Sequence, residues 1–239
     1  MKNFSIILGA IILVLFVTLV IWGVYCDNTI AITNYCVNNT KNDAKLKFVV
    51  ITDLHNKEYG EKNADLAELV KEQNPDFIAV CGDMVNRGDP DTTKMKDVLE
   101  KLSKIAPTYR CLGNHERDNA AKFGTDFKSE TNSTGAVLLD NEYIKFAKNG
   151  KSVLIGGMSD YPYYEFYTPD DDVPSRTLWE EFAEKAKNNF TILLHHQPEY
   201  IAEDAKKTDI DLIVCAGLSN PVFIPRINNQ VEIGVVTVV

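Results

Sequence analysis

The sequence has few of the residues that most often carry chemistry, with four histidines, five cysteines and two tryptophans among 239 residues. The cysteines form no CxxC pair and show no zinc-finger spacing, so they carry no zinc or dithiol motif. A basic excess is also missing, because 34 acidic residues against 25 Lys and Arg give a net charge of -9. This balance disfavours a nucleic-acid binder, since such proteins carry basic patches for phosphate. With 45% hydrophobic residues, the chain can bury a core and is not a disordered chain.

Charged residues are absent from Phe4 to Tyr25. As a helix this 22-residue stretch measures about 33 Å, which is long enough to span a bilayer. Trp22 stands where an interfacial aromatic belt would lie. A cleaved signal peptide is the alternative, but its apolar region is shorter and ends in a small-x-small site, whereas this run ends in Val24-Tyr25-Cys26. We therefore predict an uncleaved transmembrane anchor over residues 1–26.

The side of the membrane follows from the few charges near the anchor. Lys2 and the amino terminus favour the cytoplasmic side, which predicts a single-pass protein of the cell membrane with its remaining part outside the cytoplasm. Residues 27–239 carry 24 Lys and Arg (25 minus Lys2) against 34 acidic residues, a net charge of -10. An anionic membrane surface weakly repels such a domain. We expect a strand and a polar linker over 27–45 and one domain over 46–239.

Beyond the linker, buried β-branched runs alternate with segments of helical spacing. The runs predict strands over residues 46–52, 77–81, 108–112, 137–139, 143–147, 152–156, 191–194, 210–215 and 231–238. Helical spacing predicts helices over residues 64–71, 92–104 and 176–187. This alternation indicates an α/β domain with a mixed sheet, or two sheets packed face to face with helices outside.

All four histidines fall in short polar motifs that follow predicted strands. The motifs are Asp53-Leu54-His55, Gly82-Asp83, Gly113-Asn114-His115-Glu116 and His195-His196-Gln197-Pro198. In α/β sheets, ligands gather beyond the carboxyl ends of the strands. Each motif alone is common in turns, but the ordered set predicts one metal site. Carboxylate, imidazole and amide ligands suit divalent ions of the Mn, Fe, Zn or Ni type.

This ordered set resembles that of the calcineurin-like metallophosphoesterases, and most closely their bacterial branch with an N-terminal membrane anchor. The resemblance covers residues 46–239. It implies a four-layer α/β/β/α sandwich of two mixed sheets flanked by helices, with two divalent ions bound. It also implies hydrolysis of phosphomonoesters or phosphodiesters by a hydroxide that the two ions generate. Because the anchor holds the site near a bilayer, lipid-linked esters are candidate substrates.

The resemblance also implies a role for each motif residue. Asp53 and His55 would hold the first ion, and Asp83 would bridge both. Asn114 and His196 would hold the second ion.

His115 would lie over the phosphate, where it stabilises the transition state or protonates the leaving oxygen. In this branch the ligand stands two residues before the proline, so His196 rather than His195 is predicted to bind metal. His195 then packs in the core or supports the site from behind.

The sequence departs from the family pattern at its end. The pattern closes with Gly-His-x-His, which gives one further ligand to each ion, and no histidine follows His196 here. In one alignment Leu218 and Asn220 stand in place of the two histidines. In the other, which we prefer, Gly217–Val239 resembles the closing segment of the family, and a few tens of residues are missing after Cys215.

Each ion would then keep three protein ligands, and water would fill the open positions. An active phosphoesterase is one hypothesis for such a site. A non-catalytic relative that binds metal or phosphate is the second. A poorly folded deletion product is the third.

Overall fold

The computed structural model describes residues 2–27, 29–37, 46–158, 174–198, 201, 205–216, 222–225 and 231–238. The predicted linker and residues 217–221, where the two alignments of the closing motif differ, lie outside these ranges. The helices are α1 (Lys2–Asp27), α2 (Ala64–Glu72), α3 (Thr93–Ile105), α4 (Asn114–Phe123), α5 (Phe127–Asn132) and α6 (Pro174–Ala186). The strands are β1 (Ile30–Val37), β2 (Lys47–Ile51), β3 (Phe77–Cys81), β4 (Thr108–Cys111), β5 (Val137–Leu138), β6 (Glu142–Lys148), β7 (Lys151–Met158), β8 (Phe190–His195), β9 (Leu212–Cys215), β10 (Val222–Pro225) and β11 (Val231–Val238).

These strands form two mixed sheets. The first has the order β1-β11-β2-β3-β4-β5, and the second has the order β10-β9-β8-β7-β6. In the first sheet only β1 runs antiparallel to its neighbour. In the second sheet the two edge strands are antiparallel and the central three are parallel. The predicted mixed α/β fold with two sheets is confirmed.

The central strands β2, β3, β8 and β9 are buried on both faces, which explains their apolar runs. Along β2, Val49 and Ile51 face the helices α2 and α3, while Phe48 and Val50 face the second sheet. This alternation follows from the two-residue period of a strand. On the far side of the second sheet, β8 and β9 pack against α6 through a third cluster that includes Phe182. The layers therefore run helix, sheet, sheet, helix, as the resemblance implies.

The N-terminal helix α1 stands apart from this core. Its segment Ile6–Tyr25 is long and apolar enough to cross a membrane, and none of it is buried inside the protein. Its large apolar side chains are all exposed, from 46% for Leu8 to 71% for Phe4. The helix is therefore an unpartnered apolar surface among the described residues, which is the pattern that a membrane anchor requires.

Three described elements were not predicted from the sequence, namely α4, α5 and β10. Helix α4 begins inside the Gly113-Asn114-His115-Glu116 motif, and its only apolar residues are Ala120, Ala121 and Phe123 near its end. Sequence periodicity detects a helix by its buried stripe, so a short polar helix gives no signal. The missed helix matters because its first turn forms one wall of the site.

Candidate functional site

The predicted ligand residues lie together at one edge of the two sheets. Asp53 and His55 follow β2, Asp83 follows β3, Asn114 follows β4, and His196 follows β8. Because β2, β3 and β4 are parallel, their carboxyl ends meet at one edge of the first sheet. The sequence order of motifs therefore becomes a spatial cluster drawn from both sheets.

The two loops that carry Asp53 and Asp83 are joined along their backbones. Asp53 N donates to the Gly82 carbonyl at 3.2 Å, and His55 N donates to the Asp83 carbonyl at 3.0 Å. Asp53, His55 and Asp83 all adopt left-handed backbone conformations, with φ between 47° and 56°. Such conformations cost about 1–3 kcal/mol each for residues with a side chain and persist only where surrounding contacts enforce them. The interlocked loops supply those contacts at the site.

Two glycines allow the loops to approach each other. A Cβ atom on Gly82 would lie 2.7 Å from the Gly113 backbone nitrogen and 2.8 Å from His196 Nδ1. A Cβ atom on Gly113 would lie 2.3 Å from Asp83 Oδ1. All three contacts are too short for a real side chain. The glycines of the second and third motifs therefore permit the close packing that brings Asp83 to the centre.

The Asp83 carboxylate is the centre of the cluster. Its Oδ2 atom lies 3.1 Å from His196 Nε2 and 3.9 Å from Nε2 of both His55 and His115. Its Oδ1 atom accepts a hydrogen bond from His115 N, in the first turn of α4, at 2.8 Å. Asp53 Oδ1 lies 3.6 Å from His55 Nε2 and 3.9 Å from His196 Nε2. One carboxylate thus faces all the imidazoles of the site.

His196 is oriented by a backbone contact. Its Nδ1 donates to the Cys81 carbonyl at 2.8 Å, so the lone pair of Nε2 is available inside the site. The 3.1 Å contact between Nε2 and Asp83 Oδ2 needs either a proton on Nε2 or a cation shared between the two atoms.

The amide of Asn114 also needs either a donated proton or a cation between it and Asp83 Oδ2. Its inward atom lies 3.3 Å from Asp83 Oδ2 and 3.3 Å from His196 Nε2, and its other atom lies 3.1 Å from Arg87 Nη2. With nitrogen inward, the amide donates to both acceptors. With oxygen inward, three acceptor atoms converge, an arrangement that a cation stabilises.

The donor spacing fits a divalent ion. Two groups of donor atoms each lie within 4.8 Å of one another, one from His55, Asp83 and His115, and one from Asp53, Asp83 and His196. Ligands at about 2.1 Å from an ion stand about 3.0–3.5 Å apart in octahedral or tetrahedral geometry. The observed separations need only a small contraction to reach these values. Both groups share Asp83, so each is a candidate site for a metal ion beside that carboxylate.

The charges of the site also favour cation binding. Burial raises the pKa of Asp83, but hydrogen bonds from His196 and from the His115 backbone outweigh this effect, and the net pKa lies below its usual value. The hydrogen bond to Asp53 holds the pKa of His55 above its usual value. Burial lowers the pKa of His115. At neutral pH, Asp83 is therefore an ionised acceptor among imidazoles.

A buried ion pair behind the site was not assigned any role from the sequence. Glu116 is fully buried and accepts hydrogen bonds from the backbone nitrogens of Asp83 at 2.8 Å, Met84 at 2.7 Å and Gly113 at 2.9 Å. Arg110, also fully buried, donates to Glu116 Oε1 at 2.7 Å. Glu116 therefore ties the second loop to the start of α4. The signal in the sequence was a lone arginine in an apolar strand six residues before a glutamate.

His195 lies outside this cluster and packs in the core, one of the two places predicted for it. It is fully buried at the end of β8, and its Nδ1 lies 3.4 Å from the Met158 carbonyl. Burial lowers its pKa from 6.5 to about 4. Cys215 lies opposite His195 in the neighbouring strand β9. Its side chain packs in the apolar cluster beneath α6 and belongs to neither donor group.

The depressed pKa of His195 predicts a loss of stability in acid. The unfolded chain binds a proton near pH 6.5, but the folded chain resists it until about pH 4. The free energy of unfolding should therefore fall by about 2–3 kcal/mol more between pH 7 and pH 4.5 in the wild type than in His195→Asn. Urea unfolding of both full chains in detergent with EDTA, followed by Trp179 fluorescence, measures this difference. Parallel pH profiles of the two proteins would contradict the prediction.

Comparisons with known proteins agree with this arrangement. The family model named calcineurin-like phosphoesterase matches residues 46–218. The chain is 25% identical over 173 residues to the uncharacterized metallophosphoesterase YkoQ of Bacillus subtilis (strain 168), a match that covers 71% of this chain and 59% of YkoQ. It is 29% identical over 122 residues to the phosphodiesterase YaeI of Escherichia coli (strain K12), which covers 50% of this chain and 45% of YaeI. The chain thus matches about half of the length of these curated relatives.

A solved structure shows the same fold. The protein TT1561 of Thermus thermophilus superposes with a TM-score of 0.56 at 12% identity, covering 80% of this chain and 87% of that chain. At this identity the likeness concerns the fold alone.

Proposed function

This chain belongs to the calcineurin-like phosphoesterase family. From this premise we propose that it is a membrane-anchored, metal-dependent phosphoesterase. The observation that carries the proposal is the convergence of carboxylate, imidazole and amide side chains from four strand ends around Asp83 Oδ2. These are ligand types that divalent ions of this class prefer. We also propose that the domain lies outside the cytoplasm, because Lys2 favours a cytoplasmic amino terminus.

Two ions are proposed, of the Mn, Fe, Zn or Ni type. Asp53, His55 and Asp83 would hold one, and Asp83, Asn114 and His196 would hold the other. Ions bound there would offset the charge of a phosphoryl group and lower the pKa of an attacking water. Asp83 keeps its charge at neutral pH, and His196 is fixed by Cys81, so both are prepared for this role.

His115 is proposed to act on the phosphoester itself. Its side chain is about one-fifth exposed, its ring packs edge-on at 4.4 Å from that of His55, and its backbone nitrogen binds Asp83. Nε2 therefore faces the space in front of the carboxylate. In hydrolysis a water oxygen would form the new bond to phosphorus and lose a proton to solvent, while the ester bond to phosphorus breaks. The departing oxygen would take its proton from Nε2 of the protonated form of His115, which is then restored from solvent; because burial lowers the pKa of His115, mildly acidic pH favours this form. Before that step the same atom can donate to a phosphoryl oxygen.

A second function is supported by the missing Gly-His-x-His motif. With no histidine after His196, each proposed ion has three protein ligands, and its affinity should be lower than in a complete site. A non-catalytic relative that binds metal or phosphate without turnover would have such a reduced set of ligands. Measuring metal content together with turnover separates the two functions. The phosphoesterase requires bound metal and turnover, whereas the non-catalytic relative requires binding alone.

The adjacent histidines provide a matched test. His196→Asn keeps a donor for the Cys81 carbonyl but removes Nε2, and should lower metal-dependent hydrolysis of bis(4-nitrophenyl) phosphate by about 10²-fold. His195→Asn, one residue away and outside the cluster, should keep hydrolysis near the wild-type rate. The measurement uses the full chain in detergent with added Mn²⁺ and an EDTA control. Absence of Mn²⁺-dependent turnover in the wild type would contradict the enzyme, and metal binding without turnover would support the second function.

A further inference from the structure

The connection between the anchor and the domain is very short. Helix α1 ends at Asp27, and β1 begins three residues later at Ile30. Thr29 Oγ1 donates to the Tyr25 carbonyl at 2.6 Å, so this residue is still bound to the last turn of the helix. Three extended residues span at most about 10 Å. The first residue of the sheet is therefore held within about 10 Å of the end of the anchor.

The strand direction places that first residue at the edge that carries the site. β1 is antiparallel to β11, with Ile30 opposite Val238. β11 is parallel to β2, with Val235 opposite Val50. The last residues of β11, and hence Ile30, therefore lie at the edge of the sheet where β2 ends and leads into Asp53.

Strand spacing gives the lateral distance. β1 and β2 are separated by β11 alone, so Ile30 lies two strand spacings, or about 10 Å, from the chain at Asp53. Adding the connection to α1, the start of the site lies within about 20 Å of the end of the anchor. A headgroup layer occupies about 5–7 Å of this distance, since the layers on both sides of an about 30 Å hydrocarbon core bring a bilayer to about 40–45 Å. A site at the opposite edge of the sheet would lie farther from the membrane by the length of a strand.

The net charge of the domain does not attract it to a membrane. Its net charge of -10 (24 basic against 34 acidic residues in 27–239) is repelled by anionic lipid surfaces. The short covalent connection therefore holds the domain near the membrane although its net charge is repelled there. A long linker would also keep the domain at the membrane, but only a short one determines which edge of the domain lies next to the bilayer.

We propose that the edge carrying Asp53 and Asp83 faces the membrane and that the substrate is a lipid-linked phosphoester, whose phosphate stands at headgroup level. This inference rests on the proposed phosphoesterase function and adds the class of its substrate. The alcohol part of the ester stays in the bilayer, and the phosphate reaches the site without leaving the membrane surface.

Lengthening the connection tests the proposal. Four copies of EAAAK inserted between Thr29 and Ile30 add a largely helical spacer of about 30 Å. The control carries the same 20 residues between Met1 and Lys2, where they leave the connection unchanged. Both full chains and the wild type are reconstituted in phosphatidylcholine vesicles. The lipid probe is a minor fraction of diacylglycerol 4-nitrophenyl phosphate, and the water-soluble probe, with the same leaving group, is bis(4-nitrophenyl) phosphate.

The result expected is a ratio of lipid to soluble turnover that falls about tenfold or more in the spacer variant and stays at the wild-type value in the control. A ratio unchanged by the spacer would overturn the proposal, as would turnover of the soluble probe alone. Neither of these outcomes affects the proposed phosphoesterase function. Absence of turnover of both probes would overturn that function and this inference together.

Discussion

Asp83→Asn is expected to lower kcat/KM for bis(4-nitrophenyl) phosphate on the order of 10³-fold, about 4 kcal/mol of transition-state stabilisation. The substitution keeps the shape of the side chain and an oxygen for the hydrogen bond from His115 N. It removes the negative charge and places an amide group near His196 Nε2, now 3.1 Å from Oδ2. Because both proposed ligand sets include this carboxylate, the loss should affect binding of both proposed ions.

Metal content distinguishes this explanation from misfolding. After dialysis against Mn²⁺, the wild type should retain more bound metal than Asp83→Asn, while both unfold at similar temperatures in EDTA. Asp91→Asn is a matched control, because Asp91 also accepts a backbone hydrogen bond from the start of a helix, at 2.9 Å from Thr93 N, but lies outside both donor groups. Equal metal content and turnover in Asp83→Asn and the wild type would contradict the central role of Asp83.

Glu116→Gln is expected to lower the free energy of unfolding by about 3–5 kcal/mol. Glu116 and Arg110 are both fully buried and form an ion pair at 2.7 Å. The neutral amide would leave the guanidinium buried without its partner. Its NH₂ group would also face the backbone nitrogens of Asp83 and Gly113, which are donors themselves. Removing one partner of a buried pair therefore has a larger effect than the pair's own net contribution.

Urea unfolding of the full chain in detergent measures this effect. Glu130→Gln is the control, because Glu130 pairs with Lys96 at 2.8 Å but is 30% exposed, and it should lose no more than about 1 kcal/mol. Turnover by the folded fraction of Glu116→Gln should also fall, since Glu116 holds the loop of Asp83 against α4. A free energy of unfolding within about 1 kcal/mol of the wild type would contradict the role assigned to the pair.

The central strands β2, β3, β8 and β9 could be predicted because each is a nearly continuous apolar run. Phe77–Cys81 and Val231–Val238 were predicted with the observed bounds, and most other strands within about two residues. Burial on both faces requires such runs, so the sequence carries the signal locally. The histidine motifs could be predicted for a related reason, since polar residues directly after an apolar run mark the end of a strand.

The contacts behind the site could not be predicted in this way. Helix α4 has no apolar stripe, and its formation depends on Glu116 reaching back to Gly113 N. The partner of Glu116 is Arg110, whose burial in a strand contradicts its usual preference for the surface. Only the assembled loops provide the four donors that make a buried carboxylate stable at this position.

The sequence by itself determined which chemistry the site offers and where each ligand follows a strand, because residue types and hydrophobic periods are local properties. The tertiary structure alone decided that four strand ends converge on Asp83, and that β11, from the end of the chain, lies between β1 and β2. The physical reason is that strand pairing joins residues far apart in the chain, and no local period encodes it. That pairing brings the start of β1, which follows the N-terminal helix, and the edge that carries Asp53 and Asp83 to the same side of the domain.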